Sequence, residues 1–206
     1  MPFISIGPHC GSAILIKDNN VRIEAYPFDY AFSSLKLIND CILDNFNKLL
    51  DPAYLRRISA TCSDNTYYNS YLDTADIRRH REKEGGTPVV FNHHNLTDES
   101  TRITFRRRCD RFMEAIKNKD ALLIYTVYHY KKIENDYSDL IDFSQFINGI
   151  NPDAIILVFN IIFYLENIVP SIVFHKDNLH IWQINGDDRT SDSRIVFSKY
   201  KHMENP

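Results

Sequence analysis

A cysteine, Cys10, stands where the first helix of the chain is expected to begin. Residues 3–6 form a short apolar run that ends at Gly7-Pro8, and residues 10–17 have the composition of a helix start. A helix N-terminus stabilises negative charge, which favours a nucleophilic thiolate, and its N–H groups can stabilise an oxyanion. The alternative is that Cys10 is a small buried apolar residue, and its position alone does not separate the two interpretations.

Two adjacent histidines, His93 and His94, follow a predicted strand over residues 88–91. Because imidazole titrates near neutral pH, one of them is a candidate general base for Cys10. Adjacent side chains usually point in different directions, so we expect only one of the pair to face such a site. The alternative is a polar surface turn.

Asp29 is a candidate for orienting that histidine, as the third member of a catalytic triad does. It follows a second strand-like run over residues 21–26. The residues alone slightly favour the alternative, an Asx turn or N-cap before a helix that starts near Ser34. Gly7 and His9, in the turn before Cys10, are candidates for contacting the substrate.

Arg107 and Arg111 lie four residues apart on a predicted helix and share one of its faces. Guanidinium groups pair with phosphates and carboxylates, so these arginines are candidate substrate contacts. The favoured alternative is a solvated helix face that pairs with nearby acidic residues. We predict no metal site, because the four cysteines match no zinc-binding spacing. We also predict no cofactor.

The elements around these residues alternate between strands and helices. The pattern predicts a long amphipathic helix over 35–49, a helix over 99–117, strands over 121–128 and 154–163, and a hairpin from 171–175 and 179–184. Residues 58–86 are polar and rich in Tyr and Arg, and we expect a loop or lid there. The order predicts an α/β fold with a mostly parallel sheet flanked by helices, in which sites lie at the carboxyl ends of strands.

Length and composition narrow the class of protein. The 206 residues are 44% hydrophobic and 25% charged, which is typical of a single globular domain. A net charge of −3 disfavours a nucleic-acid binder. We find neither a membrane-spanning run nor a signal peptide, and therefore expect a cytoplasmic protein with reduced thiols. Abundant Ile, Asn, Asp and Tyr are typical of an AT-rich genome, such as that of a large DNA virus or of some bacteria. A viral origin would place the protein in host cytoplasm.

Two blocks of the sequence contain recognisable motifs. The first block is Ile4-Ser5-Ile6-Gly7-Pro8-His9-Cys10, followed by Ala13, Arg22, Pro27-Phe28-Asp29-Tyr30 and Ser33-Ser34. The second is Phe91-Asn92-His93-His94 with Arg107, Arg108, Arg111 and Phe112. The two blocks resemble a family of papain-like cysteine peptidases found in bacteria and large DNA viruses. Its members open with Ser-Leu-Gly-x-x-Cys, continue with Pro-Phe-Asp-Trp and carry Phe-x-His and Arg-x-x-Arg-Phe segments, and here Ile6 and Tyr30 replace the Leu and the Trp.

The resemblance implies Cys10 as nucleophile, His93 as its partner and Asp29 in a shared motif. It also implies a papain-like fold, which is the alternative to the strand–helix alternation described above. The expected function is a peptidase, isopeptidase or amidase acting on a protein or peptide. Two other functions stay open. One is a transferase that binds a nucleotide or sugar phosphate through Arg107 and Arg111, and the other is a non-catalytic viral factor that binds a host protein through residues 66–81.

Overall fold

The computed structural model describes residues 1–57, 67–69, 91, 94–130, 136–165 and 168–201. Its strands, in chain order, are β1 (Phe3–Ser5), β2 (Leu55–Arg57), β3 (Tyr67–Asn69), β4 (Leu122–His129), β5 (Ile155–Ile162), β6 (Ser171–Lys176) and β7 (Leu179–Asn185). Its helices are α1 (Gly11–Asp18), α2 (Leu35–Leu43), α3 (Asn47–Leu50), α4 (Glu99–Ala115), α5 (Ser138–Ile150) and α6 (Arg189–Lys201). No helix among these described segments is long and apolar enough to cross a membrane.

Five strands form one sheet in the order β1-β4-β5-β7-β6. The pairs β1–β4, β4–β5 and β5–β7 are parallel, and β6 pairs antiparallel with β7. This arrangement confirms the predicted α/β class, with a mostly parallel sheet and a C-terminal hairpin. The carboxyl ends of β1, β4, β5 and β7 therefore meet at one edge of the sheet. The strands β2 and β3 form a separate antiparallel pair.

The sheet is covered on both faces, and β4 shows how its side chains divide between them. Ile124 lies in an apolar layer with Leu15 of α1 and Phe197 of α6. Leu123 lies in the opposite layer, with side chains from α2, α4 and α5 such as Phe112. Because side chains alternate along a strand, successive β4 residues at the carboxyl edge face opposite layers.

The helix predicted over residues 35–49 is two helices, so that prediction was wrong about its continuity. The chain turns after α2 because Asn45 and Phe46 adopt left-handed backbone angles, with φ of 54° and 60°. Phe46 is fully buried, with its ring centroid 5.8 Å from that of Phe28 and 5.6 Å from that of Phe112. Burial of this aromatic side chain compensates for the strained backbone.

The strand predicted over residues 21–26 does not form. The segment bonds locally instead: the N–H of Val21 donates to the carbonyl of Ile16 at 3.2 Å, and the N–H of Tyr26 donates to the carboxylate of Asp29 at 3.1 Å. Val21 and Tyr26 are buried, so the segment wraps across the protein without joining the sheet.

Two other predicted elements fall largely outside the described residues. Of the predicted loop or lid over 58–86, only β3 is described, and of the predicted strand over 88–91, only Phe91 is described. Phe91 forms an isolated antiparallel bridge with Ala31. The final helix, α6, was not predicted.

Candidate active site

Hydrogen bonds to β4 and α1 fix the turn between β1 and α1. The N–H of Ile6 donates to the carbonyl of Ile124 at 3.0 Å, and the N–H of Thr126 donates to the carbonyl of Gly7 at 3.3 Å. The hydroxyl of Ser12 donates to that same Gly7 carbonyl at 2.6 Å. Gly7, a predicted substrate contact, is thus buried with its carbonyl already bonded, and it holds the turn in place.

Cys10 occupies the N-cap position of α1, and its side chain makes no capping hydrogen bond. The residue is partly exposed, whereas Cys41 and Cys109 are buried. Burial raises the pKa of the Cys41 thiol well above its ordinary value and that of Cys109 to about 12. Of the three cysteines that the structure describes, Cys10 alone combines solvent access with a helix N-terminus.

His9 and Tyr128 converge on Gly11, the first residue of α1. The N–H of Gly11 donates to Nδ1 of His9 at 3.0 Å. The imidazole of His9 is stacked on the ring of Tyr128, with centroids 4.7 Å apart and planes inclined by 17°. A Cβ at Gly11 would lie 2.6 Å from the Tyr128 hydroxyl and 2.7 Å from Cε1 of His9. Glycine thus lets the phenol approach the helix N-terminus beside Cys10.

The Tyr128 phenol is protonated at neutral pH. Burial raises its pKa, and the positive charge of Arg189 at the start of α6 opposes that shift. The negative charge that Cys10 would carry as a thiolate raises the Tyr128 pKa further. A protonated hydroxyl is a hydrogen-bond donor, so this group can stabilise negative charge that develops near the helix N-terminus.

Asp29 is buried and is bound within its own loop. Its Oδ2 accepts hydrogen bonds from the Arg22 guanidinium at 2.7 Å and from the N–H of Tyr26 at 3.1 Å. Burial raises the pKa of Asp29, and the Tyr26 N–H and the Arg22 charge oppose the shift. These contacts agree with the interpretation of Asp29 as a turn residue. Asp29 also interacts through its charge with Arg108, which in turn contacts His94.

Arg108 of α4 connects Asp29 electrostatically to His94. Burial lowers the pKa of Arg108, and the charge of Asp29 opposes that shift. Nη1 of Arg108 lies 3.3 Å from Nε2 of His94. Because a guanidinium group only donates, Nε2 of His94 is the acceptor and its lone pair is engaged. His94 would need Arg108 to move before Nε2 took a proton, and His93 lies outside the described residues.

Ser33 connects the loop that contains Asp29 to the turn that contains Cys10. Its N–H donates to the carbonyl of Pro8 at 3.0 Å, and its hydroxyl donates to the carbonyl of Ile6 at 3.3 Å. The structure therefore packs the two loops side by side, while the described hydrogen bonds of Asp29 run to Arg22 and Tyr26.

Arg107 and Arg111 line one cavity of about 480 Å³ on α4. Arg107 donates to the hydroxyl of Thr104 at 3.2 Å, and Arg111 lies 3.6 Å from the carboxylate of Glu24. The remaining lining residues are Ala25, Thr104, Arg108, Asp110 and Glu114. The acidic side chains offset part of the positive charge, as a solvated face would, and anion binding here stays a prediction.

His129, which the sequence did not single out, ends β4 at the same sheet edge as Cys10. Its Nε2 lies 3.3 Å from Oδ1 of Asn160 on β5. Burial lowers the pKa of His129, and the contact with Asn160 opposes the shift. His129 directly follows Tyr128 and so faces the opposite layer. Within the described parts of the chain, no three or more His, Cys, Asp or Glu side chains are grouped as metal ligands.

The site thus combines a partly exposed thiol, a helix N-terminus and a neighbouring phenol. The family described as "Putative papain-like cysteine peptidase (DUF1796)" matches residues 1–166. The chain belongs to this family of papain-like cysteine peptidases. Comparisons with curated proteins and with solved structures gave no match.

The papain-like peptidase match reaches further along the chain than the two motif blocks that first indicated it. It includes β4, α5 and β5, and hence Tyr128. The strands β6 and β7 and the helix α6 lie beyond the matched residues. Arg189, whose positive charge opposes the rise in the pKa of Tyr128, belongs to this C-terminal part.

Proposed function

We propose that the chain is a cysteine-dependent hydrolase of the peptidase, isopeptidase or amidase type, with Cys10 as its nucleophile. The observation that carries the proposal is the partly exposed position of Cys10 at the N-terminus of α1, in contrast to the buried Cys41 and Cys109. Membership of a papain-like cysteine peptidase family supports the same chemistry. A protein or peptide substrate and a cytoplasmic location are part of this proposal.

In the proposed reaction the Cys10 thiolate attacks a substrate carbonyl carbon, and a C–S bond forms while the carbonyl oxygen takes the electron pair. N–H groups of the first turn of α1 and the Tyr128 hydroxyl donate to that oxyanion. The C–N bond then breaks, and the departing amine takes a proton from the imidazolium of the base. A water molecule, deprotonated by the same imidazole, hydrolyses the thioester and restores the thiol.

We propose His93 as the base and His94 as the alternative. His94 is less suited because its Nε2 accepts from Arg108 at 3.3 Å. Asp29 and Arg108 act in this scheme as positioning residues, since they would hold the segment that carries both histidines against α4.

The experiment is alkylation with iodoacetamide as a function of pH, with each labelled cysteine identified by mass spectrometry. We expect Cys10 to react rapidly below about pH 7, as an activated thiolate does. His93→Ala should abolish this rapid reaction. His94→Ala should lower the alkylation rate of Cys10 by a smaller factor than His93→Ala does. Cys41 and Cys109 serve as internal controls in the folded protein because both are buried.

Cys10→Ala establishes which signal belongs to the nucleophile. Slow labelling of Cys10 that rises only near the ordinary thiol value of about 8.5 and ignores both histidine substitutions would exclude the proposed function. Rapid labelling should be followed by a screen of peptide, isopeptide and amide substrates.

A further inference from the structure

A continuous row of aromatic rings begins at the residue before Cys10 and crosses the carboxyl edge of the sheet. We call the rings of His9, Tyr128, Phe163 and Tyr130 the aromatic row. Tyr128 is stacked on His9 at 4.7 Å, Phe163 lies 5.9 Å from Tyr128, and Tyr130 is stacked on Phe163 at 4.9 Å with planes inclined by 13°. The row therefore spans the ends of β1, β4 and β5.

The row changes from a partly buried end to an exposed end. His9 and Tyr128, next to the helix N-terminus, are both partly buried. At the outer end, Tyr130 is 70% exposed. Phe163 between them lies so close to Gly186 that a Cβ there would overlap its ring. The outer ring is thus held in a stack although it lies mainly in water.

The exposure of Tyr130 contrasts with the burial of the aromatic rings in the core. Phe28, Phe46 and Phe112 pack edge to face in the core and are almost fully buried. An exposed aromatic ring at the end of a row that begins beside the proposed nucleophile is an apolar surface with open area for a ligand.

We propose that the aromatic row binds an aromatic side chain of the substrate where the row reaches the surface, beside the proposed active site. This inference rests on the proposed function, because it takes Cys10 as the reacting group. Ring faces favour stacking and edge-on contact with another aromatic ring. They also attract cations. Two charges act on the Tyr128 phenol in opposite senses, and the positive charge of Arg189 outweighs the negative charge of a Cys10 thiolate, which disfavours a second cation there. The row therefore selects a neutral aromatic side chain over a lysine or arginine.

The test measures binding apart from reaction. In the full chain carrying Cys10→Ala, we would measure by fluorescence polarisation the binding of three fluorescein-labelled tetrapeptide amides that differ only in one Phe, Ala or Lys. We expect the Phe peptide to bind at least about 10-fold more tightly than the Ala and Lys peptides. Tyr130→Ala and Phe163→Leu should each reduce this preference toward equal binding.

Tyr137→Ala is the matched control, because it removes a ring that packs against Phe174 outside the aromatic row, with centroids 5.1 Å apart and planes inclined by 51°. It should leave the preference unchanged. Equal binding of the Phe and Ala peptides, tighter binding of the Lys peptide, or a Phe preference that survives both row substitutions would overturn the proposal. Iodoacetamide alkylation of Cys10 in the otherwise unchanged chain reports separately on the proposed function, so the two failures are distinguishable.

Discussion

The backbone N–H of Gly11 donates a hydrogen bond to Nδ1 of His9 at 3.0 Å. The residues on either side of Cys10 are thus bonded to each other. A neutral imidazole that accepts at Nδ1 carries its proton on Nε2. Protonation of His9 adds a proton to Nδ1 and breaks this hydrogen bond. The charge state of His9 therefore controls whether the Gly11 amide is available to another acceptor.

We expect acidification to release the Gly11 amide. In an NMR titration, the Gly11 amide resonance should move with the same midpoint as the ring resonances of His9. His9→Phe keeps a ring on Tyr128 but removes the acceptor, so the pH dependence of the Gly11 resonance should disappear. A Gly11 amide that does not follow the His9 ring would contradict this assignment.

Tyr128→Phe should slow acylation of Cys10 by about 10²-fold, the effect of removing one oxyanion donor. The ring remains, so the stack with His9 is kept while the hydroxyl is lost. The measurement is the burst of nitrophenolate released from p-nitrophenyl acetate. Tyr125→Phe, on the opposite face of β4, is the matched control and should react like the unaltered protein. Equal burst rates in all three proteins would remove Tyr128 from the mechanism.

Asp29→Asn should lower the free energy of unfolding by about 2–3 kcal/mol, because it leaves the Arg22 and Arg108 guanidinium groups without their carboxylate. The carboxylate accepts from Arg22 at 2.7 Å and is almost fully buried. Urea denaturation measures the loss. Glu24→Gln removes the more exposed ion pair in which Arg111 lies 3.6 Å from the Glu24 carboxylate. This change should lower the free energy of unfolding by less than about 1 kcal/mol. Equal losses in the two variants would show that burial of the Asp29 pair is unimportant.

The stability of the protein should fall as the pH is lowered below about 6.5, the ordinary histidine value. Burial lowers the pKa of both His129 and His180, and the charge of His175 lowers that of His180 further. A folded state with a lowered histidine pKa binds fewer protons than the unfolded state. Stability is therefore lost as the pH falls from the ordinary histidine pKa toward the lowered pKa of the folded state.

Urea denaturation between about pH 8 and pH 5.5 measures this dependence, which spans the ordinary histidine pKa. His129→Gln and His180→Gln should each flatten it, and the combined variant should flatten it further. An unchanged slope in the combined variant would assign the acid sensitivity to other groups.

Local sequence patterns predicted much of the fold. The stripe of Phe105, Cys109 and Phe112 predicted α4, and all three side chains are buried as expected. Hairpin residues around Asp177 predicted β6 and β7, and Asp177 has a left-handed φ of 51°. These predictions were confirmed because capping, turn and periodicity signals act over a few residues.

Predictions failed where a distant contact outweighed the local pattern. Phe46 fits the period of a single helix, yet the aromatic cluster with Phe28 and Phe112 holds it in a left-handed turn. The final helix α6 was missed, although Val196, Phe197 and Tyr200 have helical spacing and are buried against the sheet.

By itself, the sequence determined the α/β class and the position of Cys10 at the start of a helix, because both follow from neighbouring residues. The tertiary structure alone decided what surrounds that cysteine. Tyr128 reaches Gly11 because β4 pairs with β1 in a particular register, and Arg108 reaches His94 because α4 packs beside the loop before it. Such contacts depend on sheet register and helix packing, which join residues that are distant in the chain and share no local pattern.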